Sequence, residues 1–333
     1  MQKLSRAELH DILWTYRRFD PLYGDRLANH LPMAITALWQ LGVDAAAIHR
    51  FSSEYAKRLK PRRDHGPSEP ARMAQVGTHT FEANAAYFSA QFNASSCDEV
   101  LQLWIPRLIP GVAASAFHGL IRTAYAVEAG YRAELADALA YWMAEYVHFP
   151  GRAPVSALPP AETIDAAISH FSKLPPYPGT IVDRMAAAAR DPWFDGDAST
   201  LAGINLQEIR REVLALYARY DDVTLLHTVT AIHAMRVLEP YWQDNGSACA
   251  YLWQGILLAI AGASADLPVR RNQATSPIPD APWPAIAARA RDSVDEHVIK
   301  LVYTAYQESL VDGSELYRLV AARKAGSPIE SRR

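Results

Sequence analysis

Apolar residues recur along this chain at spacings of three and four, and no alternating segment of strand length interrupts them. Such a pattern can be buried only by packing helix against helix, so the expected fold is all-α, a multi-helix bundle. Ser5-Arg6-Ala7-Glu8 reads as a capping box opening a helix through Phe19. An apolar helix is expected over Asn29–Leu41, closed by Gly42. Asp44 caps the next, with Phe51, Tyr55 and Leu59 on one face. Further helices are expected over Phe81–Phe92, from Ser96 to Leu108, over Val112–Ala129 (closed by Gly130) and over Tyr131–Val147. The last two should form an antiparallel pair. Then come Glu162–Leu174, Thr180–Ala189, Leu206–Arg219, Val223–Leu238, Ala248–Ala261, a long helix Ala285–Leu310 and a short one, Ser314–Lys324. Pro61–Val76 and Pro268–Pro284 read as loops. One domain over residues 1–325 is expected, with a frayed tail over 326–333. The Pro-rich stretch Phe149–Pro160 marks a two-lobe division near residues 149–160.

Half of the 333 residues are hydrophobic, and 8 Trp, 16 Tyr and 9 Phe exclude a disordered chain. A formal net charge of -3 argues against a nucleic-acid binder, which needs a basic face. The N-terminus lacks the apolar run of a signal peptide, and the longest apolar run elsewhere, Gly255–Ala263, falls short of a bilayer's thickness. No membrane partner and a cytoplasmic location are therefore expected. Cys97 and Cys249 cannot build a thiolate zinc site or a disulfide framework. Neither G-x-G-x-x-G nor a P-loop occurs, so no nucleotide site is indicated.

The 11 histidines carry the functional signal. His30, His118, His227, His233 and His297 fall inside apolar stretches, where an imidazole must find a partner or cost free energy. His227 and His233 point about 120° apart on a helix, so they should not share one ion. His297 and Lys300 stand at i, i+3, on one face. A single buried histidine is most simply satisfied by a backbone carbonyl or a carboxylate. Several on separate apolar helices would all be satisfied by one shared metal ion, a site that helical bundles build readily. Glu145-Tyr146-Val147-His148 matches half of a di-iron carboxylate signature, without a second copy. A metal-free helical binding protein and a metal-dependent hydrolase remain alternatives.

Four stretches carry a family resemblance: NHLPMAITALWQLGVD (Asn29–Asp44), FHGLIRTAYAVEAG (Phe117–Gly130), LHTVTAIHA (Leu226–Ala234) and DEHVIKLVYTA (Asp295–Ala305). They resemble the questin oxidase-like family, whose fungal members act on anthraquinones and related polyketides. The resemblance implies a non-haem Fe(II) oxygenase using O2 on a small aromatic, quinone-like substrate. Carried over by motif, the metal ligands are His30, His118, His227, His297 and Lys300, the lysine bearing a carbamate derived from CO2. His233 is the substitute for His227. Arg122, one turn after His118, is the candidate for pairing with substrate oxyanions or for supporting the ligands. Tyr23, Trp39, Trp242 and Tyr303 are candidates for the substrate pocket, with core packing as the simpler role. NADPH as electron source is left open by the resemblance and unsupported by any nucleotide motif.

The chemistry of the set is coherent. Neutral imidazoles suit Fe(II), and an anionic oxygen ligand offsets part of its charge. A lysine ammonium cannot ligate, but burial lowers its pKa, and the free amine can add carbon dioxide.

Overall fold

A computed structural model describes residues 4–62, 80–149, 159–194, 204–242, 245–267 and 281–326. All of the expected frayed tail except Gly326, which ends the last helix, most of both proline-containing loops, His65 and His79 lie outside them. The described residues form fifteen α-helices and one two-stranded ribbon, β1 (Leu22–Tyr23) with β2 (Leu27–Ala28). The all-α expectation holds.

The chain folds as two compact units, each discontinuous in sequence. The first draws on Met1–Ala94, Ile121–Ala144 and Pro277–Arg333, the second on Ser95–Leu120 and Glu145–Ser276. One crossing, after Ala144, falls just before the Pro-rich stretch. Another, at Ser276–Pro277, falls within the loop expected over Pro268–Pro284, whereas those after Ala94 and Leu120 carry no comparable break in composition.

The first unit contains α1 (Arg6–Tyr16), α2 (Leu31–Gln40), α3 (Ala45–Ala56), α4 (Phe81–Ala94), α7 (Arg132–Ala144), α13 (Trp283–Arg291), α14 (Glu296–Asp312) and α15 (Glu315–Gly326). Ser5 and Glu8 form the expected capping box of α1. Helix α2 is buried along nearly its whole length and packs on α14, α1 and α3, while α4 lies along α7. The expected long helix Ala285–Leu310 is two helices. It breaks at Asp292–Asp295, where Asp295 starts α14 by accepting the His297 amide. A local side-chain cap competes successfully with helix continuation there.

The second unit contains α5 (Cys97–Leu108), α8 (Pro160–Phe171), α9 (Ile181–Ala188), α10 (Leu206–Tyr220), α11 (Val223–Val237) and α12 (Asn245–Ala263). Helices α11 and α12 are apolar on almost every face, as central helices must be, and α12 packs on α8, α9 and α11. Helix α6 (His118–Ala129) begins in the second unit and continues into the first. It starts six residues later than the periodicity of Val112–Ala129 suggests, because residues 112–117 form turns instead.

Buried ion pairs hold the first unit. The Arg122 guanidinium on α6 grips Glu134 on α7 through two hydrogen bonds of 2.6 and 3.1 Å. Burial disfavours the charge on Arg122, but the Glu134 carboxylate overcomes this and holds its pKa up. One turn along, Asp137 accepts from Arg17 at 2.7 and 2.9 Å and from Arg62 at 3.2 Å. Removing one member of a buried pair strands the other charge. Arg122→Ala and Glu134→Ala should therefore each lower stability in urea titration by roughly 3 kcal/mol, and the double variant should lose much less than their sum.

Candidate metal centre

Each unit brings candidate residues together. In the first unit His30 ends the ribbon-to-helix connection as the N-cap residue of α2, directly before Leu31-Pro32. Its backbone amide donates to the Tyr55 hydroxyl at 3.2 Å. The His30 ring lies edge-on to His297, with centroids 4.9 Å apart. Lys300, wholly buried on α14, brings Nζ to 3.3 Å from His30 Nδ1. The i, i+3 spacing thus places His297 and Lys300 on the face that α2 covers.

Two carboxylates complete this cluster. Glu296 is 1% exposed, and its Oε1 stands 3.5 Å from Nδ1 of both His30 and His297. Its other oxygen faces Arg58 at 3.8 Å. Asp295 accepts the His297 amide at 2.8 Å and approaches His297 Nδ1 at 3.2 Å. Asp295, Glu296 and His297 offer ligand atoms within 4.8 Å of one another. Burial pushes the His297 imidazole below the usual histidine range, against the pull of Asp295 and Glu296, so its neutral, ligating form dominates. Sequence reasoning missed both acids. The signal was present in Asp295-Glu296-His297, a cap residue and an acid at the head of an apolar helix.

In the second unit His118 and His227 meet edge-on, with centroids 4.8 Å apart. His227 Nδ1 donates to the Val223 carbonyl at 2.7 Å, and His118 Nδ1 to the Ser115 carbonyl at 2.5 Å. A carbonyl only accepts, so each Nδ1 carries a proton, and in the neutral form of each ring the lone pair is on Nε2. This is the tautomer a metal ligand needs, fixed in the way that partners behind metal-bound histidines fix it. His233, fully buried, turns elsewhere: its Nδ1 accepts from Arg236 at 3.3 Å. Of the two histidines on α11, His227 is the one that joins His118.

The backbone before His118 is strained. Ser115, Ala116 and Phe117 have φ of 50°, 54° and 68°, a left-handed turn without glycine. Each such residue costs on the order of 1–2 kcal/mol. Nothing in the sequence signals it, since glycine and asparagine are the residues that usually mark this conformation.

The other candidates are placed as follows. Arg122 is committed to Glu134. Trp39 donates its indole N–H to the Leu4 carbonyl at 2.9 Å, and the Tyr303 hydroxyl donates to Glu128 at 2.7 Å. Tyr23 is buried beside Tyr55, and Trp242 is half-buried after α11. Glu145 and His148 lie beyond the end of α7, so they do not share a helix face. His10 is satisfied locally, stacking on Tyr131 and bonding the Ala129 carbonyl.

The donor set fits a ferrous ion. It offers neutral imidazoles with defined tautomers, a buried amine and flanking carboxylates. The model of the questin oxidase-like family matches residues 27–222, more than half of the chain. The chain belongs to the questin oxidase-like family. Membership makes it an oxidoreductase acting on a small molecule. The questin oxidase-like match takes in His30, His118 and Arg122 and ends before His227, His297 and Lys300. A comparison with curated proteins finds no match. Among the described residues no helix is long and apolar enough to cross a membrane.

Asp295 both caps α14 and touches the His297 ring. Asp295→Ala should cost about 1 kcal/mol and speed amide exchange at His297, with Asp295→Asn falling between variant and wild type.

Proposed function

We propose that this protein is a non-haem iron oxygenase that binds one Fe(II). The ligands are His30, His118, His227 and His297, with Lys300 as a carbamate. The observation that carries this reading is the locking of His118 and His227. Both hold Nδ1 against backbone carbonyls, and the neutral form of that tautomer has its lone pair on Nε2, where a Lewis acid can bind. Held by these residues, Fe(II) would supply the redox chemistry for oxidation of an electron-rich aromatic substrate by dioxygen.

The residues of the chain do the rest. In its neutral form the Lys300 amine can add carbon dioxide and release a proton to water, leaving an anionic oxygen donor on a long stem. His297, held neutral by burial, is ready to ligate without first losing a proton. Glu296 faces both imidazoles of the first cluster and sets the orientation of their rings. Arg122 contributes through its pair with Glu134, which fixes α6 against α7, rather than by contact with substrate. The resemblance to the family supports an aromatic or quinone-type polyketide as the substrate class, and consumption of O2.

The reading predicts stoichiometric iron in protein purified without chelator, and oxygen-dependent turnover of a hydroxylated anthraquinone. His118→Ala and His227→Ala should each lose most of the iron while keeping the helical circular dichroism signal. Full iron in both variants sinks the assignment, and undiminished turnover without oxygen points to a hydrolase instead. Labelled carbon dioxide should give a carbamate carbon signal absent from Lys300→Ala.

A further inference from the structure

We propose that the left-handed turn Ser115–Phe117 is the positioning element of the His118 imidazole, deciding which ring nitrogen is offered. The comparison with His227 makes the case. His227 lies one turn inside α11 and reaches the carbonyl four residues back along a regular helix. His118 is the first residue of α6, so no helical turn precedes it. The left-handed path supplies the missing acceptor: the Ser115 carbonyl takes the His118 backbone amide at 3.2 Å and the ring Nδ1–H at 2.5 Å. Two different backbones thus produce the same tautomer on adjacent rings.

The turn is held from outside. Ser115, Ala116 and Phe117 are buried. Helix α12 presses on them at Gly255, where a Cβ would stand 2.7 Å from Ala113 Cβ and 3.0 Å from the Phe117 ring. Glycine at 255 lets the helix close on the turn, and this packing keeps non-glycine residues in a conformation they rarely adopt.

The affinity arm of the test rests on His118 being a ligand; the ring arm does not. Ala116→Gly tolerates the left-handed region, whereas Ala116→Val, β-branched, does not. In metal-free protein, imidazole nitrogen NMR should show His118 protonated at Nδ1 in wild type and Ala116→Gly. In Ala116→Val that single tautomer should be lost. Fe(II) binding should be unchanged by Ala116→Gly and weakened about ten- to hundredfold by Ala116→Val. In a His118→Ala background the two variants should bind Fe(II) equally. A folded Ala116→Val with the wild-type tautomer and wild-type Fe(II) affinity overturns the proposal. If Ala116→Val does not fold, Gly255→Ala strains the turn from the other side and is read by the same two measurements. Wild-type protein that binds no Fe(II), yet loses the tautomer in Ala116→Val, removes the ligand role and leaves the positioning role standing.

Discussion

A buried imidazole has two nitrogens and must place both. That constraint organises the candidate site. Where Nδ1 is tied to a backbone carbonyl, as in His118 and His227, the remaining lone pair is directed by the fold rather than by the ring's own rotation. Where Nδ1 faces charged groups, as in His30 between Lys300 and Glu296, the ring's state depends on what those groups carry. One cluster is set by the backbone and the other by electrostatics. The division follows from position along the chain: the backbone-locked rings have a carbonyl within reach behind them, and His30 and His297 stand at the heads of helices beside acids.

The architecture needed for this is costly in polar burial, and the first unit shows how the cost is offset. Arg122 and Glu134 satisfy each other, and Arg17 and Arg62 share Asp137. Lys300 and Glu296 sit at full depth in the same helix end as His297. Helix α14 therefore presents titratable groups on a face that simple periodicity would assign to core.

The helical class was legible because α2, α11 and α12 are apolar on nearly all sides and cannot be strands of a half-exposed sheet. The caps at Ser5, Asp44 and Ser96 were legible for the same reason that they work: a short polar side chain reaches its own backbone. The histidines stood out because charge-capable rings are expensive in apolar helices. The break at Asp292–Asp295 was not read, since Ala285–Leu310 keeps helical periodicity across it and only the Asp295 cap divides it. The turn before His118 was not read either, because its conformation is imposed by packing against α12 rather than by glycine. Glu296 escaped because an acid beside a histidine looks like solvated surface until its depth is known. The match to the questin oxidase-like family covers residues 27–222, so the candidates His227, His297 and Lys300, read from sequence motifs, lie beyond it.

The central proposal is that four imidazoles of this chain bind one cation. X-ray absorption at the iron edge of the loaded protein tests it most directly. The account predicts the outer-shell scattering of four imidazoles around a single iron, falling to three in His118→Ala and in His297→Ala alike. Scattering from two imidazoles, unaffected by one of these substitutions, would contradict it and leave two separate histidine pairs.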